Sequence, residues 1–282
     1  NIREADAICQ VVRVFTDPDV THVEGRVDPA DDIATVNTEL VLADLASLQK
    51  RHDRLQKEVR AGEKQAKIEN AVVKKLLPHL DAGKPAITAP LEPEEKIVSR
   101  NLFLLTSKPT LFACNVSETD LAAVAKKDPA NAAVKFVDLV RDYAAHHFGT
   151  EAFVISARIE SELVDLSESE ALEYLRGLGV EDSGVHALIR GVYHLLGLRT
   201  FLTTGEKETR AWTIHTGDKA PQAAGAIHSD FERGFIAAET IAYEDLVALG
   251  SFAKAREAGK LRIEGKEYEV KDGDVMTFRF NV

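Results

Sequence analysis

The sequence predicts an α/β protein that has a parallel sheet with helices, an inserted helical hairpin and a small C-terminal α+β domain. Three observations support this fold class: short apolar runs separated by a helical pattern, one long stretch of helical periodicity, and a change to shorter elements from Arg199 onward. The chain has 282 residues, of which 45% are hydrophobic and 29% charged. This composition is enough for one large core or two to three smaller ones.

Three apolar runs are typical of buried strands in a parallel sheet. They cover residues 7–15, 109–115 and 152–156, and the first ends at the turn formers Asp17-Pro18-Asp19. Residues 130–147 lie between the second and third runs and have helical spacing, which gives a strand-helix-strand unit. Ligands of such sheets bind beyond the carboxyl ends of the strands. Residues 115–118 and 156–158 are therefore the expected binding loops.

Residues 31–81 form the long helical stretch. Their apolar positions recur in steps of four and three, are interrupted at Gly62 and then resume. This pattern predicts a hairpin of two helices with coiled-coil packing, inserted into the α/β domain. The predicted inward positions are Val41, Leu45, Leu48, His52, Leu55 and Val59, followed by Ile68, Val72, Leu76 and Leu80.

The predicted hairpin concentrates positive charge in an acidic chain. Between Gln49 and Lys75 there are nine Lys or Arg residues and four acids, a local net charge of +5 where the whole chain has −11. The overall charge argues against broad nonspecific affinity for nucleic acid, but a local patch could bind RNA or an acidic protein. Alternatively, the cations only keep an exposed helical face soluble. The candidate patch consists of Lys50, Arg51, Arg54, Lys57 and Lys64.

The C-terminal part has shorter, strand-like elements. Residues 211–215 and 275–280 are predicted strands, and residues 261–264 and 268–270 are predicted to pair through the turn at Gly265-Lys266. Trp212 could stack on a base, but its place in an alternating strand favours packing in the core.

The remaining composition indicates a soluble cytoplasmic protein without a metal site. Cys9 and Cys114 lie in apolar runs, which favours reduced, buried thiols over a disulfide or metal ligands. No apolar run reaches the roughly eighteen residues of a membrane span, and the charged start does not resemble a signal peptide. His146 and His147 end a predicted helix, where they are expected to interact with carbonyls or the helix dipole. The only methionine is Met276, so we expect an upstream segment to be missing.

The two expected binding loops resemble the base-recognition loops of GTP-binding switch proteins. Those proteins use N-K-x-D and S-A-K, and the corresponding residues here are Asn115-Val116-Ser117-Glu118 and Ser156-Ala157-Arg158. The longer Glu side chain no longer aligns with the guanine donors, and the Lys that supports the base is lost. The amide oxygen of Asn115 or a backbone carbonyl could instead accept from the adenine amino group, so the loops predict a weak or inverted preference for guanine.

A structural interpretation of the first loop is also open. Asn115 and Glu118 could serve only as strand-end turn and helix N-cap residues. The second strand-end loop about forty residues later, with a helix between, favours the base pocket.

Longer stretches make the chain similar to the YchF family of Obg-like ATPases, and the similarity covers essentially its whole length. They are residues 1–8, Asp19-Val20-Thr21-His22-Val23, residues 33–45, Lys108-Pro109-Thr110, Asn115-Val116-Ser117-Glu118, and residues 210–214, 220–225, 228–236 and 270–275.

This resemblance implies a domain organisation. Residues 1–30 and 100–198 would form an Obg-like P-loop G domain, incomplete at its N-terminal side, and residues 31–99 a coiled-coil insertion. Residues 199–282 would form a TGS domain of β-grasp type. The patterns G-x-x-x-x-G-K-[ST] and D-x-x-G do not occur in the 282 residues. The phosphate-binding loop, the Mg²⁺ ligands and the catalytic group are therefore expected upstream.

The resemblance also implies an activity. It indicates a ribosome-associated hydrolase that prefers ATP over GTP, uses Mg²⁺, and contacts the large subunit or ribosomal RNA but neither DNA nor membrane. Two competing hypotheses are a non-catalytic ribosome- or RNA-binding module and a scaffold without a ligand. The residues carried over for the base are Asn115, Val116, Glu118, Ser156 and Ala157. A second ribosomal contact would involve Lys254, Arg256, Lys260, Arg262 and Lys266.

Overall fold

The computed structural model describes residues 2–16, 27–205 and 208–281. The chain divides into two compact units, Asn1–Val192 and Tyr193–Val282. The predicted turn at Asp17-Pro18-Asp19 and the family-like stretch that begins at Asp19 lie outside the described residues. Within the described ranges, no helix combines the length and the apolar character that crossing a membrane requires.

The first unit contains the predicted parallel sheet. Its strands are β1 (Ile8–Arg13), β2 (Thr110–Asn115) and β3 (Ala152–Ile155), in the order β1-β2-β3. Both pairs are parallel, and β2 is almost completely buried because it is the central strand. The α/β fold class with a parallel sheet is thus confirmed.

Strand β1 differs from the uniformly buried strand that its apolar run predicts. It lies at an edge of the described sheet, its burial alternates, and Val11 is 63% exposed. The prediction of a buried Cys9 is therefore wrong, because this side chain is exposed. Cys114 in the central strand is buried, and the loss of solvation raises the pKa of its thiol to about 12.

The helical stretch folds into α1 (Pro29–Arg60) and α2 (Lys64–Asp81), which pack against each other. Gly62 takes a φ of +90° in the turn between them, a conformation that glycine adopts without strain. Ile68 was expected inward but is 52% exposed, since Ala66 and Asn70 occupy the inward positions at that level of α2. The buried apolar positions of the hairpin include Val41, Leu48, Leu55, Val72, Val73, Leu76 and Leu80.

A buried carboxylate ties α1 to the segment that leads into β2. Asp44 has no exposed surface, and its oxygens accept hydrogen bonds from Leu105 N at 2.8 Å, Thr106 N at 2.7 Å and Thr106 Oγ1 at 2.8 Å. Arg3 Nη1 donates a further bond at 3.0 Å. The hairpin is therefore anchored to the sheet by hydrogen bonds as well as by apolar contacts.

The other helices of the first unit lie before β2, between β2 and β3, and after β3. The predicted helix of residues 130–147 is observed as Ala132–Phe148. The helical segment predicted from Ser167 to Leu196 is two helices, with residues 178–183 between them and Gly179 at a φ of +79°. The helices are α3 (Pro93–Arg100), α4 (Glu118–Ala125), α5 (Ala132–Phe148), α6 (Ala157–Leu163), α7 (Glu168–Gly177) and α8 (Gly184–Leu195).

The second unit has a mixed five-stranded sheet. Its strands are β4 (Leu198–Thr204), β5 (Thr209–His215), β6 (Phe235–Ala242), β7 (Arg262–Glu264) and β8 (Asp274–Phe280), in the order β5-β4-β8-β6-β7. Among the described strands of this sheet, β4 and β8 are the only parallel neighbours. The helices are α9 (Ala220–Ile227), α10 (Ser229–Arg233), α11 (Tyr243–Leu249) and α12 (Phe252–Glu257). Trp212 is half-buried against the core and donates through Nε1 to Thr203 Oγ1 at 2.9 Å.

One predicted strand pairing in this unit is wrong. β7 pairs with β6, whereas residues 268–270 form no ladder with β7. Glu269 instead makes an isolated bridge with Lys219, and the Tyr268 hydroxyl donates to Asp274 Oδ2 at 2.7 Å. The turn residues Gly265-Lys266 therefore connect β7 to a loop.

Candidate nucleotide-base site

The candidate site lies at the carboxyl ends of β2 and β3. These strands are adjacent and parallel, with Asn115 in register with Ile155, so the loops that follow them leave the sheet side by side. Asn115 Oδ1 accepts a hydrogen bond from Ala157 N at 3.0 Å. The two loops that the sequence singles out, forty-two residues apart at these atoms, are thus in direct contact.

The amide group of Asn115 has a defined orientation because of this contact. A backbone N–H must face the amide oxygen, so the Nδ2 donors of Asn115 point elsewhere. Within the described residues Nδ2 has no hydrogen-bond partner. The sequence analysis considered Asn115 Oδ1 as an acceptor for the adenine amino group, but this oxygen already accepts one hydrogen bond from Ala157 N. Nδ2 is suited to an acceptor such as purine N7, which adenine and guanine share.

Helix capping in the first loop is performed by Ser117. Its Oγ accepts from Asp120 N at 3.1 Å and donates to Asp120 Oδ2 at 2.6 Å. Asp120 Oδ1 in turn accepts from Nδ2 of Asn131, the N-cap residue of α5, at 2.8 Å. Because Ser117 caps α4, the capping interpretation does not account for Asn115 or for Glu118.

Sequence reasoning missed this network. Ser117 stands three residues before Asp120, which is close to the Ser-x-x-Glu spacing of a capping box and was a usable signal. The contact with Asn131 joins α4 to α5 across eleven residues, and no short sequence pattern predicts it. The network connects the first loop to the N-termini of α4 and α5.

Two of the proposed base residues are buried beneath the loops. Val116 is 3% exposed, belongs to the core of the first unit and donates through its backbone N–H to Ile155 O at 2.8 Å. Ser156 is 1% exposed, and its Oγ has no hydrogen-bond partner among the described residues. Such an unsatisfied buried hydroxyl is uncommon in a folded protein.

The charged groups of the site lie at its rim. Glu118 opens α4, where its carboxylate is favourably placed at the positive end of the helix. Its Oε2 lies 4.0 Å from Arg158 Nε, and Arg158 Nε also lies 3.6 Å from Glu162 Oε1. The Arg158 side chain is 77% exposed, so these pairs are weak and leave Glu118 available to a ligand.

The histidines and acids do not assemble into a metal centre within the described ranges, where no three potential ligands lie together. His146 Nδ1 contacts Asp142 O at 2.7 Å, and His147 stacks on Tyr143 with ring centroids 4.4 Å apart. Both histidines thus have local partners on α5.

The residues of the candidate cationic patch lie on the helical hairpin. Arg51 is engaged with Glu69 through bonds of 2.6 and 2.8 Å and lies 3.5 Å from Glu58. The hydrogen bonds to Glu69 raise the pKa of Arg51. The other four cations, which have no ion-pair partner in the described part of the chain, are exposed: Lys50, Arg54, Lys57 and Lys64.

Comparison with known proteins places the chain in a family. Residues 198–281 match the family model YchF-GTPase_C, "Protein of unknown function (DUF933)". The whole chain is 49% identical to a "Ribosome-binding ATPase YchF" of Bacillus subtilis (strain 168) and 45% identical to one of Escherichia coli O157:H7, covering 75% of each. The Schizosaccharomyces pombe YchF GTPase structure matches 98% of the chain at 33% identity with a TM-score of 0.78, and 73% of that protein is covered. The chain belongs to the YchF family.

Proposed function

We propose that the full-length protein that contains these residues acts as a ribosome-associated nucleoside-triphosphate hydrolase of the cytoplasm that prefers ATP. The observation that carries the proposal is the hydrogen bond from Ala157 N to Asn115 Oδ1, which joins the two loops into one site beyond the strand ends. The relatives named as ribosome-binding ATPases support the activity and the partner. A non-catalytic ribosome- or RNA-binding module is the second candidate, which the exposed cations of the hairpin favour.

The nucleotide base would be held mainly by Asn115 and Glu118. Asn115 Nδ2 would donate to purine N7, and Glu118 would accept from an exocyclic amino group. Ser156 and Ala157 would support the loop, and Val116 would act through its backbone and its packing. When bound, Mg²⁺ neutralises charge on the triphosphate. No residue of this chain is assigned to it, because the described residues hold no set of three potential ligands and the sequence has no P-loop pattern.

The domain organisation that we propose follows the family resemblance. Residues 1–30 and 100–198 would belong to the G domain and residues 31–99 to a coiled-coil insertion. Residues 199–282 would form the TGS domain. A mixed sheet with helices over Tyr193–Val282 supports a β-grasp domain at that end.

In this proposal, Glu118 determines whether the protein binds ATP or GTP more tightly. We expect Glu118→Asp in the full-length protein to shift the ATP:GTP affinity ratio toward GTP by 1–3 kcal/mol, about 5- to 150-fold, because the shorter carboxylate realigns with the guanine donors. Val116→Lys should add to the shift, but it places a cation at a position that is 3% exposed, so unfolding must be measured in parallel. Glu162→Asp is the matched control. An unchanged ratio in the single and double variants would contradict the role of Glu118.

Hydrolysis should require more than these 282 residues. A polypeptide that starts at Asn1 is expected to show no ATP turnover above buffer, because phosphoryl transfer depends on phosphate positioning and charge stabilisation. The measurement compares phosphate release by this polypeptide, with its intact mass verified, and by the full-length protein. Turnover by the shorter chain would move the active site into the residues described above.

A further inference from the structure

A cavity lies at the end of the parallel sheet that is opposite to the base loops. Its lining comes from the first residues of β1 and β2, one side of α1, the end of α5 and the segments before β2 and after α2. The cavity has a volume of about 330 Å³, which is within the range of small-molecule sites in proteins. We refer to it as the α1–α5 cavity.

Strand β2 separates this cavity from the candidate base site. Thr110, the first residue of the strand, lines the cavity, and Asn115, the last, belongs to the base site. At about 3.3 Å per residue, the two ends of the strand are roughly 17 Å apart. A ligand in the cavity would therefore not compete with a base that is held by Asn115 and Glu118.

The lining of the α1–α5 cavity is polar but has no fixed charge. The described residues that form it include one histidine, His147, and no Asp, Glu, Lys or Arg. A phosphate or carboxylate group would find no cation in these walls, and a charge that leaves water without a partner is strongly destabilised. The lining therefore favours an uncharged ligand.

A hydrogen-bonding pair in the wall connects α1 to α5. Asn37 Nδ2 donates to the Tyr143 hydroxyl at 3.0 Å. The Tyr143 proton and Asn37 Oδ1 have no partner among the described residues, whereas the hydroxyls of the lining threonines already donate to acceptors of the protein itself. A donor and an acceptor without partners are thus present on adjacent side chains of the same cavity.

The aromatic part of the wall comes from the end of α5. Tyr143 stacks on His147 with ring centroids 4.4 Å apart, and the centroid of Phe148 lies 6.1 Å from that of Tyr143. All three rings line the cavity. Aromatic rings attract other rings in stacked and edge-on arrangements. Together with the donor and the acceptor, this wall favours a planar heterocycle.

We propose that the α1–α5 cavity binds the adenine ring of an uncharged compound, either adenine itself or adenosine. The Tyr143 hydroxyl donates to N7, and the amino group of the ring donates to Asn37 Oδ1. Adenine has one acceptor and one donor on this edge, whereas guanine has two acceptors, N7 and O6. Asn37 Oδ1 would face guanine O6 with no proton between them, so the site distinguishes the two purines. This inference goes beyond the proposed hydrolase activity and does not rest on it.

The test is calorimetric titration of adenine and of adenosine, separately, into the full-length protein whose base site is saturated with Mg²⁺ and a non-hydrolysable ATP analogue. We expect binding to the saturated protein, and the tighter of the two compounds identifies the form that the cavity accepts. Guanosine should bind about 5- to 150-fold more weakly than adenosine. Asn115→Ala disables the base site and should leave this binding intact. Loss of ATP binding with retained adenosine binding would refute the proposed hydrolase alone.

Variants of the lining assign the binding to the cavity. Ala34 is an exposed residue of the lining, so Ala34→Phe obstructs the cavity without removing a buried contact and should abolish binding. Tyr143→Phe and Asn37→Ala each remove one hydrogen bond to the ring and should weaken binding by about 2- to 12-fold. Tyr193→Phe removes a hydroxyl of α8 outside the lining and is the matched control.

Four results would overturn the proposal. If neither adenine nor adenosine binds the saturated protein, the cavity holds only water. If Ala34→Phe binds as the wild type does, the ligand is bound elsewhere. If Asn115→Ala removes all adenosine binding, the base site accounts for it. If Ala34→Phe blocks binding but guanosine binds as tightly as adenosine, the assignment of the adenine edge to Asn37 and Tyr143 is wrong.

Discussion

Replacing Asp44 by alanine is expected to lower the free energy of unfolding of the first unit by about 3–5 kcal/mol. The Asp44 carboxylate has no exposed surface and accepts bonds from two backbone N–H groups, one hydroxyl and Arg3. Without it, the N–H groups of Leu105 and Thr106 stay buried and unsatisfied. The effect on Arg3 is smaller because its side chain is 30% exposed and water can solvate it.

Urea unfolding of the full-length protein, followed by circular dichroism, provides the measurement. Asp44→Asn keeps one acceptor oxygen and should lose less stability than Asp44→Ala. Asp53→Ala is a suitable control, because Asp53 lies on the same helix, is exposed and has no ion-pair partner within the described residues. A loss below about 1 kcal/mol for Asp44→Ala would mean that water replaces the carboxylate and that the hairpin is held by its apolar contacts.

Asp44 shows where sequence reasoning reaches its limit. Apolar periodicity selects inward positions of a helix by hydrophobicity, so it identified Val41 and Leu48, which are 4% and 1% exposed. It could not select a carboxylate on the same face, because the donors that make its burial favourable come from residues 61 and 62 positions later in the chain. The contact between the two strand-end loops was predictable for the opposite reason. Adjacent parallel strands bring their carboxyl ends together whatever the distance in sequence.

Strand β7 illustrates a conflict between local and tertiary preferences. The turn residues Gly265-Lys266 favour a hairpin between residues 261–264 and 268–270, but β6 pairs with β7 and β8 on its two sides. Tyr268 is then placed where its hydroxyl bonds Asp274, a residue only 2% exposed that also accepts from Lys271 N at 2.9 Å. The hydrogen bonds to this buried carboxylate contribute more to stability than a short ladder would, because only the turn would support that ladder.

Ribosome binding by the full-length protein should depend strongly on the exposed cations of α1. We expect Lys50→Glu, Arg54→Glu and Lys57→Glu together to weaken co-sedimentation with ribosomes by about two orders of magnitude or more at low salt. The slope of log affinity against log salt should flatten by about 2–3, since each phosphate contact contributes roughly 0.7–0.9. Arg51 is left unchanged because its bonds to Glu69 stabilise the hairpin.

The control for this variant has the same change in net charge at other exposed lysines of the first unit: Lys84→Glu, Lys126→Glu and Lys135→Glu. If both triple variants lose binding equally, only the overall charge matters. The cations of the second unit are a weaker alternative contact, because three of them already have acidic partners. Arg256 pairs with Glu239 at 3.0 Å, Lys260 with Asp245 at 3.2 Å and Arg262 with Glu264 at 2.8 Å.

The outcome for the α1 variant decides between a contact surface and a solvated helix face. Lys50, Arg54 and Lys57 follow one another at intervals of four and three residues, so they project from one side of α1. If the slope of log affinity against log salt flattens in this variant but not in the control, the counterions released on binding come from contacts on that side of α1. Wild-type affinity together with a wild-type slope would leave these side chains as solubilising charges, and the ribosomal contact would then have to involve other residues.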